Sequence, residues 1–204
     1  MTKFALRFLC LISLLTPVVF AQEFSADLVN LKSGSPRTVG KLYVGQDRAR
    51  FEPQGEDSQG GAVIMNFTSH MTDVLIPQRQ MYLEMMQQMQ GRRQPFAFFR
   101  PSEPDNACDE WLRTAAKPGT TCHRVGTELL DGRMTTKYEG TSSSGEPGTV
   151  WVDSKLRFAV KWQDKSGVVE LQNIKEGSQP GSLFDIPAGY QKMDMSNMMR
   201  NMQR

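Results

Sequence analysis

Apolar and polar residues alternate with a period of two over most of the chain from Phe24 to Glu176. A period of two is the spacing of a β-strand that buries one face. One such run carries three apolar residues on a single side: Phe158, Val160 and Trp162. Turn segments such as DG, SSSGEPG and DKSG separate the runs at hairpin spacing. The pattern predicts a mainly β chain of roughly nine or ten antiparallel strands with two or three short helices, in a sheet that curls to bury one face.

The first 21 residues have the pattern of a secretory signal peptide. Lys3 and Arg7 form a basic head, an apolar run follows, and small residues precede Gln22. The run contains Pro17 and is short for a bilayer span, so we expect an exported, periplasmic protein without an integral membrane segment. The predicted organisation has three parts: a signal peptide over 1–21, one folded domain over 22–192 and a Met-rich tail over 193–204.

The charge balance argues against a strongly anionic partner. Removing Lys3 and Arg7 leaves 22 basic and 22 acidic residues, so the mature chain carries no net charge. The aromatic run PFAFF at 95–99 has no basic residues interleaved with it, and it is typical of core packing. We therefore expect no nucleic acid as a partner.

Two cysteines remain in the mature chain, Cys108 and Cys122. An even number of cysteines in an exported protein indicates a disulfide. The spacing matches neither a CxxC redox pair nor a zinc pattern. The bridge would close a loop of about 15 residues and stabilise the fold by roughly 3 kcal/mol. It would tie down a Pro-rich insert over 92–119, in which Asp105 or Asn106 could cap a short helix through Trp111.

Catalytic and metal-binding motifs are absent from the sequence. The two histidines, His70 and His123, lie in no HExxH or HxH pattern and are interpreted as turn or surface residues. The chain has neither a GxSxG elbow nor a phosphate-binding glycine loop. No nucleophile, base and oxyanion donor can be assembled, so we predict a protein that is not an enzyme and needs no cofactor.

Methionine is the unusual residue of this chain. Nine of the 13 methionines lie in 81–89 or 193–202. The first segment follows TDVLIP at hairpin spacing, yet QMYLEMMQQMQ over 80–90 also has helical spacing and stops at Gly91. As a helix it would place four residues on one face: Tyr82, Met85, Met86 and Met89. Such faces are interpreted as core packing, as the lining or lid of a lipid- or peptide-binding cavity, or as a soft site for Cu(I).

Several segments together resemble a family of bacterial exported proteins related to the periplasmic lipoprotein carrier LolA. The segments are EFSADLVN, GKLYVGQDRARFEP, VLIPQRQMYLEM and the closing LFDIPAGYQKM, whose Phe-x-Ile-Pro-x-Gly-Tyr motif runs from Phe184 to Tyr190. The family is known only as a domain of unknown function. The resemblance implies a half-barrel, in which an antiparallel sheet of about eleven strands curls around an apolar concave face and short helices act as a lid or plug. In LolA-like proteins that cavity receives acyl chains or serves as an interaction surface.

These observations predict a periplasmic binding protein that buries a lipid, or the acyl group of an acylated protein, on the concave face of the sheet. The predicted ligand-binding residues are Met81, Tyr82, Met85, Met86, Met89, Phe158, Val160 and Trp162. The first alternative is a cell-envelope interaction module that docks a helix of a partner protein on its Met-rich faces. The second alternative is copper binding by the methionine clusters.

Overall fold

The computed structural model describes residues 23–31, 35–55, 58, 60–86 and 95–193. Twelve strands form one sheet in the order β12-β6-β5-β4-β3-β2-β1-β11-β10-β9-β8-β7. The strands are β1 Phe24–Asn30, β2 Arg37–Val44, β3 Arg48–Pro53, β4 Ala62–Asn66, β5 Met71–Ile76, β6 Met81–Met86, β7 Thr121–Leu130, β8 Arg133–Thr141, β9 Pro147–Asp153, β10 Phe158–Asp164, β11 Gly167–Glu176 and β12 Gln191–Lys192. The predicted signal peptide and all of the tail beyond Met193 lie outside the described residues.

The topology is that of two meanders joined in the middle of the sheet. Strands β1 to β6 follow one another on one side, β11 back to β7 on the other, and β1 pairs antiparallel with β11. The sheet is curled and does not close, so β7 and β12 are its edges. The predicted mainly β half-barrel is confirmed. The sequence pattern predicted fewer strands, in part because β6 was also interpreted as helical and because β12, which pairs in parallel with β6, is too short at two residues to show a period.

The predicted helix over 80–90 is wrong for its described part. Met81–Met86 is strand β6, and it pairs with β5 from Ile76↔Met81 to Met71↔Met86. A short 3-10 turn over Pro77–Arg79 makes the hairpin, with Gln80 in the left-handed region at φ 49°. Six backbone pairings with β5 outweigh the weak helical preference of a short segment. Residues 87–90, including Met89, lie outside the described part.

The core lies on one face of the sheet, which we call the inner face. Antiparallel partners point to the same side, so Phe24 with Val44 and Ala26 with Leu42 define this face. The core continues across the central pair of strands, where the rings of Phe24 and Phe158 meet edge to face with centroids 5.6 Å apart. The fully or almost fully buried members of this cluster are Phe24, Ala26, Leu28, Leu42, Val44, Ala49, Trp151, Leu156, Phe158, Val160 and Leu171.

The insert between β6 and β7 is described from Pro95 onward and carries helix α1, Ala107–Thr114, together with 3-10 turns over Phe96–Phe98 and Pro104–Asn106. The helix begins after Asn106, one of the two predicted cap positions, although its side chain makes no capping hydrogen bond. Tyr138 of β8 anchors the insert through two hydrogen bonds. Its hydroxyl donates one to the Pro104 carbonyl and accepts one from the Ala107 amide at 3.3 Å. The predicted disulfide is confirmed: Cys108 of α1 is bonded to Cys122 of β7, with Cα atoms 5.6 Å apart.

The closing motif packs on the opposite, outer face of the first meander. A 3-10 turn over Gly181–Phe184 places Phe184 against Ala62, Ile64 and Leu75. Arg48 and Arg50 fix this segment from β3, donating to the carbonyls of Phe184 at 3.2 Å and Leu183 at 3.0 Å. The chain then pairs with β6, where the Met193 amide donates to the Tyr82 carbonyl at 2.8 Å. The segment 181–192 therefore packs across the outer face, and we call it the closing segment.

Candidate functional site

The predicted ligand-binding residues fall in three different places. In β6 the side chains alternate, so Met81 and Met85 lie on the inner face while Tyr82 and Met86 lie on the outer face, where Tyr82 packs beside the closing segment. Phe158 and Val160 are buried in the core at 0% and 2% exposure. Trp162 packs against the insert, with its ring 6.0 Å from that of Phe98. The structure therefore does not bring these residues together in one site. The predicted binding role of each residue stays a prediction.

A different apolar surface stands out on the inner face of β4, β5 and β6. Val63 pairs with Val74, which pairs in turn with Leu83, so these three side chains form one row across the strands. Ile76 lies opposite Met81 in a second row. Each of these side chains is half-buried. We call this surface the apolar lip, and its residues are Val63, Met65, Val74, Ile76, Met81, Leu83 and Met85.

The apolar lip is the half-buried continuation of the core. Val63 lies opposite Phe51, and Met65 lies opposite Ala49 and packs against the core cluster. Thr72 separates Met65 from Met85 in the next row, and it is the one polar side chain among these inner positions of β4–β6. The surface therefore offers a continuous apolar track that leads from the buried centre of the sheet to its β6 edge.

The outer face of the same strands is polar and charged where the closing segment ends. Asp73 lies directly opposite Glu84, and Lys192 of β12 forms an ion pair with Glu84. Burial raises the pKa of Asp73, the Glu84 carboxylate raises it further, and Lys192 acts in the opposite direction. The two faces of β5 and β6 therefore differ sharply, with carboxylates on one side and the apolar lip on the other.

A second concave site lies on the inner face of the other meander. The insert and strands β8–β10 line a pocket of about 520 Å³ that is open to solvent on one side. Phe96 stacks on Trp111 with centroids 5.0 Å apart and meets Tyr138 edge to face at 5.6 Å, which fixes the aromatic wall. Phe98 and Trp162 also line this cavity, which we call the aromatic pocket. The confirmed disulfide lies beside it, since Cys122 is a lining residue.

The described residues offer no cluster of three or more His, Cys, Asp or Glu side chains that could hold a metal. Strand geometry places Met85 and Met86 on opposite faces, so these two thioethers do not share the single helical face that was predicted for a soft-metal site. The tail methionines and Met89 lie outside the described residues. Over the same part of the chain, no helix has the length and apolar character needed to cross a membrane.

By sequence, no protein-family model and no curated protein matches this chain. By structure, it resembles an uncharacterized conserved protein from Thermus thermophilus with a TM-score of 0.53 at 10% identity, over 85% of this chain and 90% of that chain. It also resembles PNGF-II with a TM-score of 0.53 at 12% identity, over 90% of this chain. The chain spans 34% of the length of PNGF-II.

The chain also aligns with an outer membrane lipoprotein-sorting protein domain from Vibrio parahaemolyticus. That match has a TM-score of 0.30 at 12% identity and covers 88% of this chain and 90% of that chain. At such low identities the similarity concerns the fold alone. The fold defines a curled, antiparallel half-barrel protein with an apolar surface and an aromatic pocket on its inner face.

Proposed function

We propose that this protein is an exported, non-catalytic binding protein that holds the acyl chain of a lipid or of an acylated protein on the apolar lip. The observation that carries the proposal is the half-buried row Val63–Val74–Leu83, which continues the buried core across β4, β5 and β6. Exposed apolar surface of this kind in a monomeric protein marks an interaction site. Burying it under an acyl chain gains about 0.8 kcal/mol for each methylene removed from water.

The dimensions of the apolar lip suit a single flexible chain. Three neighbouring strands span about 10 Å across, since strands lie about 4.8 Å apart. Five residues of a strand run about 15 Å along its axis. Three of the seven lip residues are methionines, whose unbranched side chains adapt to irregular apolar partners. An acyl chain could therefore lie along the strands and reach the core at its Met65 end.

The proposed address is the periplasm or another oxidising compartment. The disulfide between Cys108 and Cys122 suits such a compartment, because cytosolic thiols are kept reduced. The signal peptide predicted over 1–21 would take the chain there. A hydrophobic ligand or an acylated protein is the partner that this address and the apolar lip together favour. The envelope interaction module and the copper site stay predictions.

The first test is native mass spectrometry of the mature protein purified gently from the periplasm, followed by titration of the delipidated protein with a fluorescent fatty acid. We expect a co-purified lipid mass and saturable probe binding. Leu83→Ser should weaken probe affinity about tenfold or more, because a buried leucine side chain contributes about 1.5–3 kcal/mol.

The matched control is Leu129→Ser, the same substitution at a leucine of β7. Leu129 is 68% exposed and lies outside the apolar lip. This variant should bind the probe as the unaltered protein does. A delipidated protein without affinity for acyl probes, or equal losses in the two variants, would contradict the proposal.

A further inference from the structure

The aromatic pocket has a floor that is built differently from the rest of the inner face. Its floor positions follow the register Tyr138↔Val150↔Trp162 across β8, β9 and β10. Two residues further along, Gly140 pairs with Gly148, so side chains are missing from this row on two adjacent strands. Because neighbouring side chains on one face stand two residues apart, the glycine pair lies directly beside the aromatic row. The pocket thus combines an aromatic wall with a bare backbone floor.

The two glycines have different reasons to be there. A Cβ at Gly140 would come 2.1 Å from the Thr121 carbonyl oxygen, so the close approach of β7 requires glycine at this position. A Cβ at Gly148 would meet only the Gln163 carbonyl oxygen, at 3.6 Å, which is an ordinary contact. Packing therefore does not require glycine at 148, where a glycine weakens a strand. Its absent side chain leaves the pocket open.

The charge at the mouth of the pocket is negative. Glu146 and Lys165 form an ion pair at 2.8 Å and neutralise each other. Asp164 lies on the same face as Trp162, two residues further along β10, and belongs to none of the ion pairs formed among the described residues. Its carboxylate accepts hydrogen bonds from the Ser166 amide at 2.7 Å and from the Ser166 hydroxyl. These bonds lower the pKa of Asp164, so the carboxylate is ionised at neutral pH.

We propose that the aromatic pocket binds a small organic cation that carries a flat ring. The ring lies on the bare backbone at Gly148, between the aromatic side chains of Trp162 and Trp111. The cationic group faces the Asp164 carboxylate at the mouth. Aromatic faces attract cations as well as rings, and both contacts strengthen when water is excluded. A volume of about 520 Å³ suits a ligand of this size. This site is separate from the apolar lip and does not depend on its proposed function.

Isothermal titration calorimetry of the mature protein tests the proposal with two probes of matched size, 2-phenylethylammonium and 3-phenylpropanoate. We expect the cation to bind about tenfold more tightly than the anion, as a desolvated cation–aromatic contact with an adjacent carboxylate would give. Asp164→Asn should reduce that preference to less than about threefold. An anion that binds as tightly as the cation, or a cation that does not bind at millimolar concentrations, would overturn the proposal.

Gly148→Val tests the floor, because valine fills the space above the backbone and is favoured in strands. We expect cation affinity to fall about tenfold or more while the melting temperature is kept. Gly126→Val is the matched control, since a Cβ at Gly126 on β7 meets nothing within 4 Å and this residue does not line the pocket. Fatty-acid probe binding should be the same in both variants. Unchanged cation binding in Gly148→Val, or loss of fatty-acid binding in that variant alone, would sink the assignment.

Discussion

The two meanders of the sheet are covered on opposite faces. In β1–β6 the closing segment 181–192 covers the outer face, and the apolar lip is half-buried on the inner face. In β7–β11 the insert covers the inner face, held by the disulfide and by Tyr138. On the same strands the Nζ atoms of Lys137 and Lys161 lie 5.6 and 5.4 Å from the centroid of the buried Trp151 ring. Strands of similar pattern thus acquire different surfaces from the segments that pack on them.

The comparison also separates two kinds of binding surface. The apolar lip is an open track formed by strands alone, and it suits a long flexible chain. The aromatic pocket is a partly enclosed cavity formed by strands and insert together, and it suits a compact ring. A substitution that detaches the closing segment or the insert should therefore alter the meander on which that segment packs and leave the surface of the other meander unchanged.

The largest expected effect comes from removing the anchor of the closing segment. Phe184 is 7% exposed and fills the outer-face cluster of β4 and β5. Phe184→Ala should lower the free energy of unfolding by about 3–5 kcal/mol, because it leaves a cavity in a packed cluster. Urea unfolding followed by circular dichroism measures this loss. Leu129→Ala, at a position 68% exposed, should change stability by less than about 0.5 kcal/mol. Similar values for the two variants would show that the closing segment does not hold the first meander.

The next effect concerns the cover of the second meander. Replacing Cys108 and Cys122 together by serine opens a loop of about 15 residues and should reduce the free energy of unfolding by about 3 kcal/mol. The unaltered protein in reductant should show the same loss. Affinity for 2-phenylethylammonium should fall in the double variant, because the insert forms one wall of the aromatic pocket. Fatty-acid binding at the apolar lip should not change, and a parallel loss of both affinities would contradict the separation of the two sites.

A smaller effect is expected at the ion-pair network of the second meander. Arg133 donates to Glu176 at 2.7 Å and also to Asp153, and Lys155 pairs with Glu176. The hydrogen bonds from Lys155 and from Arg133 lower the pKa of Glu176, so its stabilising contribution is present above the ordinary glutamate pKa and is lost as the pH falls. Glu176→Gln should cost about 1 kcal/mol at neutral pH. Chemical unfolding at pH 7 and at pH 3 tests this, and a cost that grows toward pH 3 would be the opposite of the expectation.

The features that local sequence signals determine were predicted well. Turn segments and the two-residue period predicted antiparallel strands, the cysteine count predicted the Cys108–Cys122 bridge, and the two candidate caps Asp105 and Asn106 placed the start of the short helix α1. The closing Phe-x-Ile-Pro-x-Gly-Tyr motif also carried the resemblance to LolA-like proteins. The strand, turn and helix signals each act over a few residues, whereas the bridge was predicted from the number of cysteines.

The features that depend on which strands pair and on which segment covers each face were not predicted. Met81–Met86 fits both periods, and only its pairing with β5 decides that Met85 and Met86 separate to opposite faces. The lip residues of β4 and β5 were visible in the alternation of Val63, Met65 and Val74, but their exposure depends on the closing segment choosing the other face. Gly148 carried no signal, because its open space exists only beneath the insert. Periodicity therefore predicts which residues share a face of the sheet, but it does not predict which segment packs over that face.

The smallest expected effect separates the two meanders by their response to pH. Asp73 lies opposite Glu84 on the outer face, and its pKa is raised by burial and by that neighbouring carboxylate. A raised pKa means that the folded protein binds this proton more tightly than the unfolded chain does. The favourable contribution is therefore fully present below the ordinary aspartate pKa of about 3.9 and is lost as the pH rises through the raised value.

Asp73→Asn removes this titration while it keeps the shape of the side chain. At pH 7 the variant should be more stable than the unaltered protein by a few tenths of a kcal/mol, as expected for removing one of two like charges on adjacent strands. That advantage should shrink and disappear as the pH falls toward 3, the reverse of the response expected at Glu176. Urea unfolding of both variants across this range measures the two trends. An Asp73→Asn advantage that grows at low pH would contradict the raised pKa and would make the two meanders alike in their response to acid.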